Sequence, residues 1–169
     1  DRTMFAGNGE FMPTPDLALA VRKITRHGSE RVVRAACDIA MTRQKRLTIV
    51  HTGNVLKQSD GLFRAAAQNV LVDYPEIDAE EVLVDAMASM LVREPGAYDV
   101  MVSTNMFGDI LSNEAAELSG GLGLAPSINA GDELIAHDTF NQEHAVGLIQ
   151  QDFSDAQQPK KCGQCSECT

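Results

Sequence analysis

The sequence predicts an α/β fold in which a layered sheet is flanked by helices, because β-prone segments alternate with segments of helical period. The β-prone segments lie at residues 47–51, about 81–84 and 98–103. Between them, apolar residues recur at the spacing of amphipathic helices. Strands that alternate with helices in this way are typical of an α/β layered domain.

Four helices follow from this periodicity. The first is predicted to start at Ser29, a potential N-cap, and to end near Lys45 and Arg46, whose charges suit the negative end of a helix. Ser59 is predicted to cap the second helix, which continues to about residue 71. The remaining two are predicted at residues 86–93 and 108–119.

The segments outside this alternating pattern have a different composition. Residues 1–20 contain glycines and prolines that interrupt any period, which predicts an extended arm or hairpin. The glycine-rich stretch at 120–131 is predicted to be a loop. The sequence becomes polar after about residue 150, and residues 154–169 are interpreted as a polar tail that contains cysteines.

Composition narrows the class of protein. The chain has 169 residues, 44% of them hydrophobic, which suffices for one ordinary domain. Its formal charge of −10 disfavours direct binding to nucleic acid or to anionic lipid. It has no apolar run near the ~18 residues of a membrane span. We therefore expect a soluble, intracellular protein of the cytoplasm or the mitochondrial matrix.

Acidic and amide side chains suggest a candidate metal site. Asp109 and Asn113 are four residues apart on a predicted helix, so they share one face, and Asp85 follows a predicted strand. Oxygen ligands of this kind suit Mg²⁺ or Mn²⁺, although the amide of Asn113 would leave only a weakened site. The alternative is that Asp109 caps a helix and Asn113 is a solvated polar residue.

Three cysteines, Cys162, Cys165 and Cys168, lie at two-residue gaps in the last eight residues. Thiolates at this spacing can bind zinc or an iron–sulfur cluster, but both normally take four ligands and only three are local. The alternative is an unliganded tail.

Five short segments carry the most distinctive motifs of the chain. In this order they resemble motifs of the β-decarboxylating dehydrogenases, the isocitrate and 3-isopropylmalate dehydrogenase family, over approximately residues 1–135. The segments are residues 24–31 (ITRHGSER), 50–63 (VHTGNVLKQSDGLF), 84–88 (VDAMA), 103–113 (STNMFGDILSN) and 120–127 (GGLGLAPS).

The resemblance implies the fold of the family's small dimerisation domain, assigned to residues 21–135, with part of the large domain. It also implies a vestigial Mg²⁺ or Mn²⁺ site at Asp85 and Asp109. Three positions depart from the family pattern: Thr52 replaces a catalytic lysine, Asn113 replaces a metal-binding aspartate, and Phe5 replaces a tyrosine.

The cofactor side of the family pattern also differs. The family's adenosine-binding loop is replaced by residues 140–145 (FNQEHA), so residues 136–153 form a divergent segment and no tight NAD(P) binding is expected. About a hundred amino-terminal residues of a complete member are expected to be absent. We therefore interpret the chain as a truncated and degenerate member of the family.

Two functions fit this sequence. The first is a non-catalytic structural or regulatory subunit that associates through the family's dimerisation surfaces, as a homodimer, with a related dehydrogenase subunit or in a larger assembly. The alternative is an active metal-dependent NAD(P) hydroxy-acid oxidative decarboxylase completed by another chain.

Overall fold

The computed structural model describes residues 9–120, 127–130, 135–138 and 147–151. Among these residues, no helix is long and apolar enough to cross a membrane. The strands are β1 (Glu10–Thr14), β2 (Leu17–Ala20), β3 (Arg46–His51), β4 (Asp78–Leu83), β5 (Val100–Thr104), β6 (Ser127–Ala130), β7 (Ile135–Asp138) and β8 (Gly147–Gln151). The α-helices are α1 (Arg26–Met41), α2 (Ser59–Leu71), α3 (Val84–Arg93) and α4 (Asn105–Leu118).

A parallel sheet with strand order β4-β3-β5-β8 forms the centre of the fold. Helix α2 connects β3 to β4, and α3 leads from β4 to β5 across β3. β1 and β2 form a separate antiparallel hairpin, as do β6 and β7. The predicted α/β class, with a sheet flanked by helices, is confirmed.

The core has two halves, one on each face of the parallel sheet. Alternate residues of a strand point to opposite faces, and in β3 both sets include buried apolar residues, as expected for a central parallel strand. Leu47 and Ile49 pack with buried side chains of α1 and α2, whereas Val50 packs with those of α3 and α4. The sheet is therefore covered on both sides.

Helix α1 begins earlier than the sequence predicted. Thr25 is its N-cap and its hydroxyl accepts a hydrogen bond from the Gly28 N–H, whereas Ser29 lies inside the first turn. The helix ends at Met41, before Lys45, which adopts a left-handed φ of 59° in the turn to β3. The basic residues predicted for the helix end therefore belong to the turn and the strand, because the apolar period does not reveal where the backbone leaves the helix.

Other boundaries also differ. β4 starts at Asp78, three residues before its predicted start, and α3 starts at Val84, two residues before its predicted start, so Asp85 lies in its first turn. Helix α4 starts at Asn105, directly after β5. Part of the predicted loop at 120–131 is strand β6. At two of these boundaries, from β4 to α3 and from β5 to α4, the strand passes into the helix without loop residues, so no turn residues mark the change in the sequence.

Candidate functional site

The loops at the carboxyl edge of the parallel sheet bring the motif residues together. In open α/β sheets, ligands bind at this edge where neighbouring connections leave in opposite directions. Here that point lies between β3 and β5: the connection after β3 leads to β4, whereas β5 continues into α4 on the other face. Thr52 follows β3, and Thr104 ends β5.

Thr52 is half-buried, and its polar groups form hydrogen bonds within its own loop and to the first turn of α2. Its N–H donates to Asp60 Oδ2 at 2.6 Å, its carbonyl accepts from the N–H groups of Val55 and Leu56, and its hydroxyl lies 3.2 Å from Asn54 Oδ1. A threonine hydroxyl carries no positive charge and is not a base near neutral pH. The side chain at this position therefore closes the loop and supplies no ammonium group.

His51 precedes Thr52 and is buried. Its Nδ1 accepts a hydrogen bond from the Gly53 N–H at 3.0 Å, and its Nε2 lies 3.4 Å from Glu81 Oε2. Burial lowers the pKa of His51, and the positive charge of Arg64 lowers it further, although Glu81 and Asp60 oppose both. These contacts favour the neutral imidazole with its proton on Nε2.

Gly53 and Glu81 complete this arrangement. A Cβ at Gly53 would lie 3.2 Å from both His51 Nδ1 and Arg64 Cδ, so the loop approaches these side chains closely. Burial raises the pKa of the Glu81 carboxyl, but hydrogen bonds from Arg64 and Gln68 outweigh it and the net pKa is lowered. Glu81 is therefore an ionised acceptor that faces His51.

A second group of polar contacts surrounds Asp60, next to the loop of residues 52–58 between β3 and α2, which we call the Thr52 loop. The Asp60 side chain has no solvent exposure and forms an ion pair with Arg22. Arg22 also donates to Thr104 Oγ1 at 2.6 Å, and its guanidinium carbon lies 5.2 Å from the centroid of the Phe107 ring. Arg22 thus bridges the connections that follow β3 and β5.

The predicted metal ligands lie on neighbouring helices of one sheet face. Asp85 is in the first turn of α3, and Asp109 and Asn113 are one turn apart on α4; all three are exposed. Asp85 Oδ1 accepts a hydrogen bond from the Ala86 N–H at 2.9 Å. Two carboxylates and an amide suit a hard divalent cation in kind, but they carry little charge.

Within the described residues, no three histidine, cysteine or acidic side chains are arranged to hold a metal ion. The weakened Mg²⁺ or Mn²⁺ site therefore remains a prediction. Phe5, the segment 140–145 and the tail with Cys162, Cys165 and Cys168 lie outside the described residues.

Helices α3 and α4 expose apolar side chains on the face of the molecule that they cover. Met106 and Ile110, one turn apart on α4, are 58% and 57% exposed. On α3, Val92 is 58% exposed and Met90 37%. The buried sides of the same helices pack together beneath this surface. We call the exposed side chains of these two helices the α3/α4 apolar surface.

The sequence analysis missed Arg22, Asp60 and the contacts of His51. An acidic residue in the first turn of a helix is a common signal, and Asp60 carries it, but this signal does not reveal burial. Arg22 carries no local signal, because its partners are 38 and 82 residues away along the chain.

Comparison with known proteins agrees with the motifs. The family model for isocitrate/isopropylmalate dehydrogenases matches residues 5–146. Homoisocitrate dehydrogenase of Methanocaldococcus jannaschii is 49% identical over 119 residues, which is 70% of this chain and 34% of that protein. A mitochondrial regulatory subunit of the NAD isocitrate dehydrogenase of Dictyostelium discoideum is 42% identical over 144 residues, 85% of this chain and 40% of that protein.

A solved structure shows the same family similarity. The crystal structure of isocitrate dehydrogenase from Methylococcus capsulatus is 36% identical, with a TM-score of 0.71, and the match covers 84% of this chain and 40% of that one. The chain thus spans between a third and two-fifths of the length of these three relatives. The resemblance predicted from the motifs is confirmed, and the chain belongs to the isocitrate/isopropylmalate dehydrogenase family.

Proposed function

We propose that the chain is a non-catalytic structural or regulatory subunit that acts by association with other chains. The proposal rests on the residue at position 52, which is Thr52. It stands where the resemblance implies a proton-transferring lysine, and its hydroxyl faces Asn54 in its own loop. A single acid–base group typically contributes about 10²–10⁴-fold to an enzymatic rate, so its loss alone would leave a very slow catalyst.

Two further observations support association. The α3/α4 apolar surface is exposed in the single chain, and helices of this kind pack across the two-fold dimer interface in the architecture that the resemblance implies. The relative from Dictyostelium discoideum is named a regulatory subunit. We therefore propose a homodimer, or a heteromer with a related dehydrogenase subunit. Its location would be intracellular, and that relative is named mitochondrial.

The mass of the protein in solution tests this proposal. We expect the purified 18.2 kDa chain either to form a dimer or to bind a catalytic NAD isocitrate dehydrogenase subunit. The substitution Ile110→Glu places a charge on the α3/α4 apolar surface and should abolish the assembly. Ile39→Glu is the matched control, because Ile39 is 40% exposed on α1, on the opposite face of the sheet. A wild-type chain that forms neither assembly would contradict the proposal.

A second candidate is an active metal-dependent NAD(P) hydroxy-acid oxidative decarboxylase subunit completed by another chain. It is favoured by the presence of Asp85 and Asp109 and by the relatives, most of which are named as dehydrogenases. Incubation of this chain, by itself and together with a related dehydrogenase subunit, with isocitrate or 3-isopropylmalate, Mn²⁺ and NAD(P) tests the second candidate. Sustained formation of reduced cofactor by this chain would establish the second candidate and overturn the first.

A further inference from the structure

Arg22 lies in the connection between two separate sheets. The β1–β2 hairpin is closed at its base by a hydrogen bond of 2.9 Å from the Val21 N–H to the Gly9 carbonyl. Arg22 is the next residue, and the chain enters α1 at Arg26. The backbone of Arg22 is therefore held at the base of the hairpin, whereas its side chain reaches the parallel sheet.

The Arg22 guanidinium contacts both sides of the gap between the connections after β3 and β5. On the β3 side it pairs with Asp60 and donates to Ser59 Oγ at 3.3 Å; on the β5 side it donates to Thr104 Oγ1. The ring of Phe107, on α4, lies beneath it. A planar guanidinium can hold several acceptors at once in a fixed geometry, which an ammonium group cannot.

Asp60 extends this contact to the Thr52 loop. One carboxylate oxygen pairs with Arg22 and the other accepts the Thr52 N–H at 2.6 Å. Because the carboxylate is fully buried, neither partner can be replaced by bulk water without a rearrangement. The chain of contacts runs from the hairpin base through Arg22 and Asp60 to the backbone of Thr52.

We propose that Arg22 is a positioning residue that couples the β1–β2 hairpin to the Thr52 loop, so that a change in the order of one changes the order of the other. Such coupling is a free energy shared by two sites, and it is reciprocal. A chain that binds the hairpin would thereby tighten the loop at the carboxyl edge of the sheet. The coupling is a property of the folded chain and does not depend on whether the chain is catalytic.

Hydrogen exchange of single backbone amides tests the coupling. In Arg22→Gln, we expect exchange of both the Val21 and the Thr52 amides to accelerate about tenfold relative to the Val102 amide in the core. The ratio to Val102 removes any general loss of stability. Arg26→Gln is the matched control, because Arg26 is 52% exposed and pairs weakly with Glu30 on the surface, and it should leave both ratios unchanged.

A double substitution shows whether the effect passes through Asp60. Asp60→Asn should accelerate the same two amides, and Arg22→Gln with Asp60→Asn should add less than about twofold to the larger single effect. Acceleration of Val21 alone in Arg22→Gln, or independent effects that multiply in the double variant, would overturn the coupling.

Arg22→Lys is a second variant for the hydrogen-exchange test, to be used if the Arg22→Gln protein does not fold. Lysine keeps a positive charge beside Asp60 but cannot reach Ser59, Asp60 and Thr104 together. We expect the Val21 and Thr52 amides to exchange about threefold faster than in the wild type, again relative to Val102. Unchanged exchange at both amides in this variant would overturn the proposal.

Discussion

His51 and Asp99 are buried polar residues, and the side chain of each accepts a hydrogen bond from the backbone N–H of another residue. For His51 the donor is Gly53, and for Asp99 it is Gln44 at 2.9 Å. A buried acceptor that loses its donor is not rehydrated freely, so the cost of a substitution depends on burial more than on charge. Substitutions of these two residues therefore test the hydrogen bonds seen in the structure.

The stability of the chain should fall in mildly acidic solution because of His51. Its folded pKa lies below the ordinary value of 6.5, so its contribution is complete above about pH 6.5 and is lost as the pH falls through the folded pKa. We expect the free energy of unfolding to decline below pH 6.5 by at most about 1.4 kcal/mol per pH unit from this group. Urea unfolding between pH 5.5 and 8 measures this slope.

His51→Asn keeps an acceptor near Gly53 but does not titrate, so it should flatten the slope. An identical pH profile for wild type and His51→Asn would contradict the assignment. Glu81 does not interfere, because its pKa is lowered from 4.5 and its contribution is lost at lower pH.

Asp99→Ala should destabilise the chain strongly. The Asp99 carboxylate is fully buried and accepts from Arg43 Nε at 2.7 Å as well as from Gln44, which fixes the turn after α1 against the start of β5. Loss of these acceptors should lower the free energy of unfolding by about 1–3 kcal/mol. Asp73→Ala removes an exposed pair with Arg34 and should have no measurable effect in the same denaturation experiment.

Two strands pass into helices without a loop, β4 into α3 and β5 into α4, and no turn residues mark these boundaries in the sequence. The spacing of apolar residues predicted the positions of the four helices. In α1, for example, Val33, Cys37 and Ala40 face the sheet at helical spacing. The period does not mark the residue at which the backbone enters the helix. Thr25 and Asn105 therefore start their helices three or four residues before the predicted positions.

The capping interaction of α1 can be measured. Thr25→Ala removes the acceptor for the Gly28 N–H and should lower the free energy of unfolding by about 1 kcal/mol. Thr25→Ser keeps a hydroxyl and should retain most of the stability. Ser29→Ala tests the competing assignment of the cap, because a cap at Ser29 would accept a hydrogen bond from the Arg31 or the Val32 amide. A larger loss of stability for Ser29→Ala than for Thr25→Ala, with faster exchange of one of these two amides, would contradict the observed start of α1.

The chain as a whole has the family's fold, and the resemblance implies that three positions tied to the reaction differ. Burial on both faces of the sheet holds the α/β architecture together, and no side chain of the proposed metal site contributes to that core. An exposed carboxylate or ammonium group can thus be exchanged at little cost in folding. The fold and the chemistry are therefore separable in this chain.

Restoring the family residues tests that separation. The combined substitutions Thr52→Lys, Asn113→Asp and Phe5→Tyr return a lysine, a carboxylate and a phenol. We expect affinity for Mn²⁺ to rise, because Asn113→Asp adds a negative charge to the candidate site. We expect no turnover with NAD(P), because the resemblance implies that residues 140–145 replace the family's adenosine-binding loop.

Calorimetric titration with Mn²⁺ and an assay of reduced cofactor measure the two results. Asn113→Asp alone is the control for the metal, and it should account for most of the gain in affinity. Turnover by the triple variant would show that the three substitutions were the only barrier to catalysis, and unchanged Mn²⁺ affinity would contradict the assignment of Asn113 to the metal site.

The α/β class, the family and the exchanged residue at position 52 followed from the sequence alone, because period and motif are properties of neighbouring residues. Tertiary structure alone decided that Arg22 meets Asp60 and Thr104, and that His51 faces Glu81. These partners are far apart along the chain, and a single hydrogen bond between distant segments produces no periodic pattern. Parallel pairing of β3 with β4 places His51 near Glu81, and the segment between β2 and α1 carries Arg22 to Asp60 and Thr104 at the carboxyl edge of the sheet.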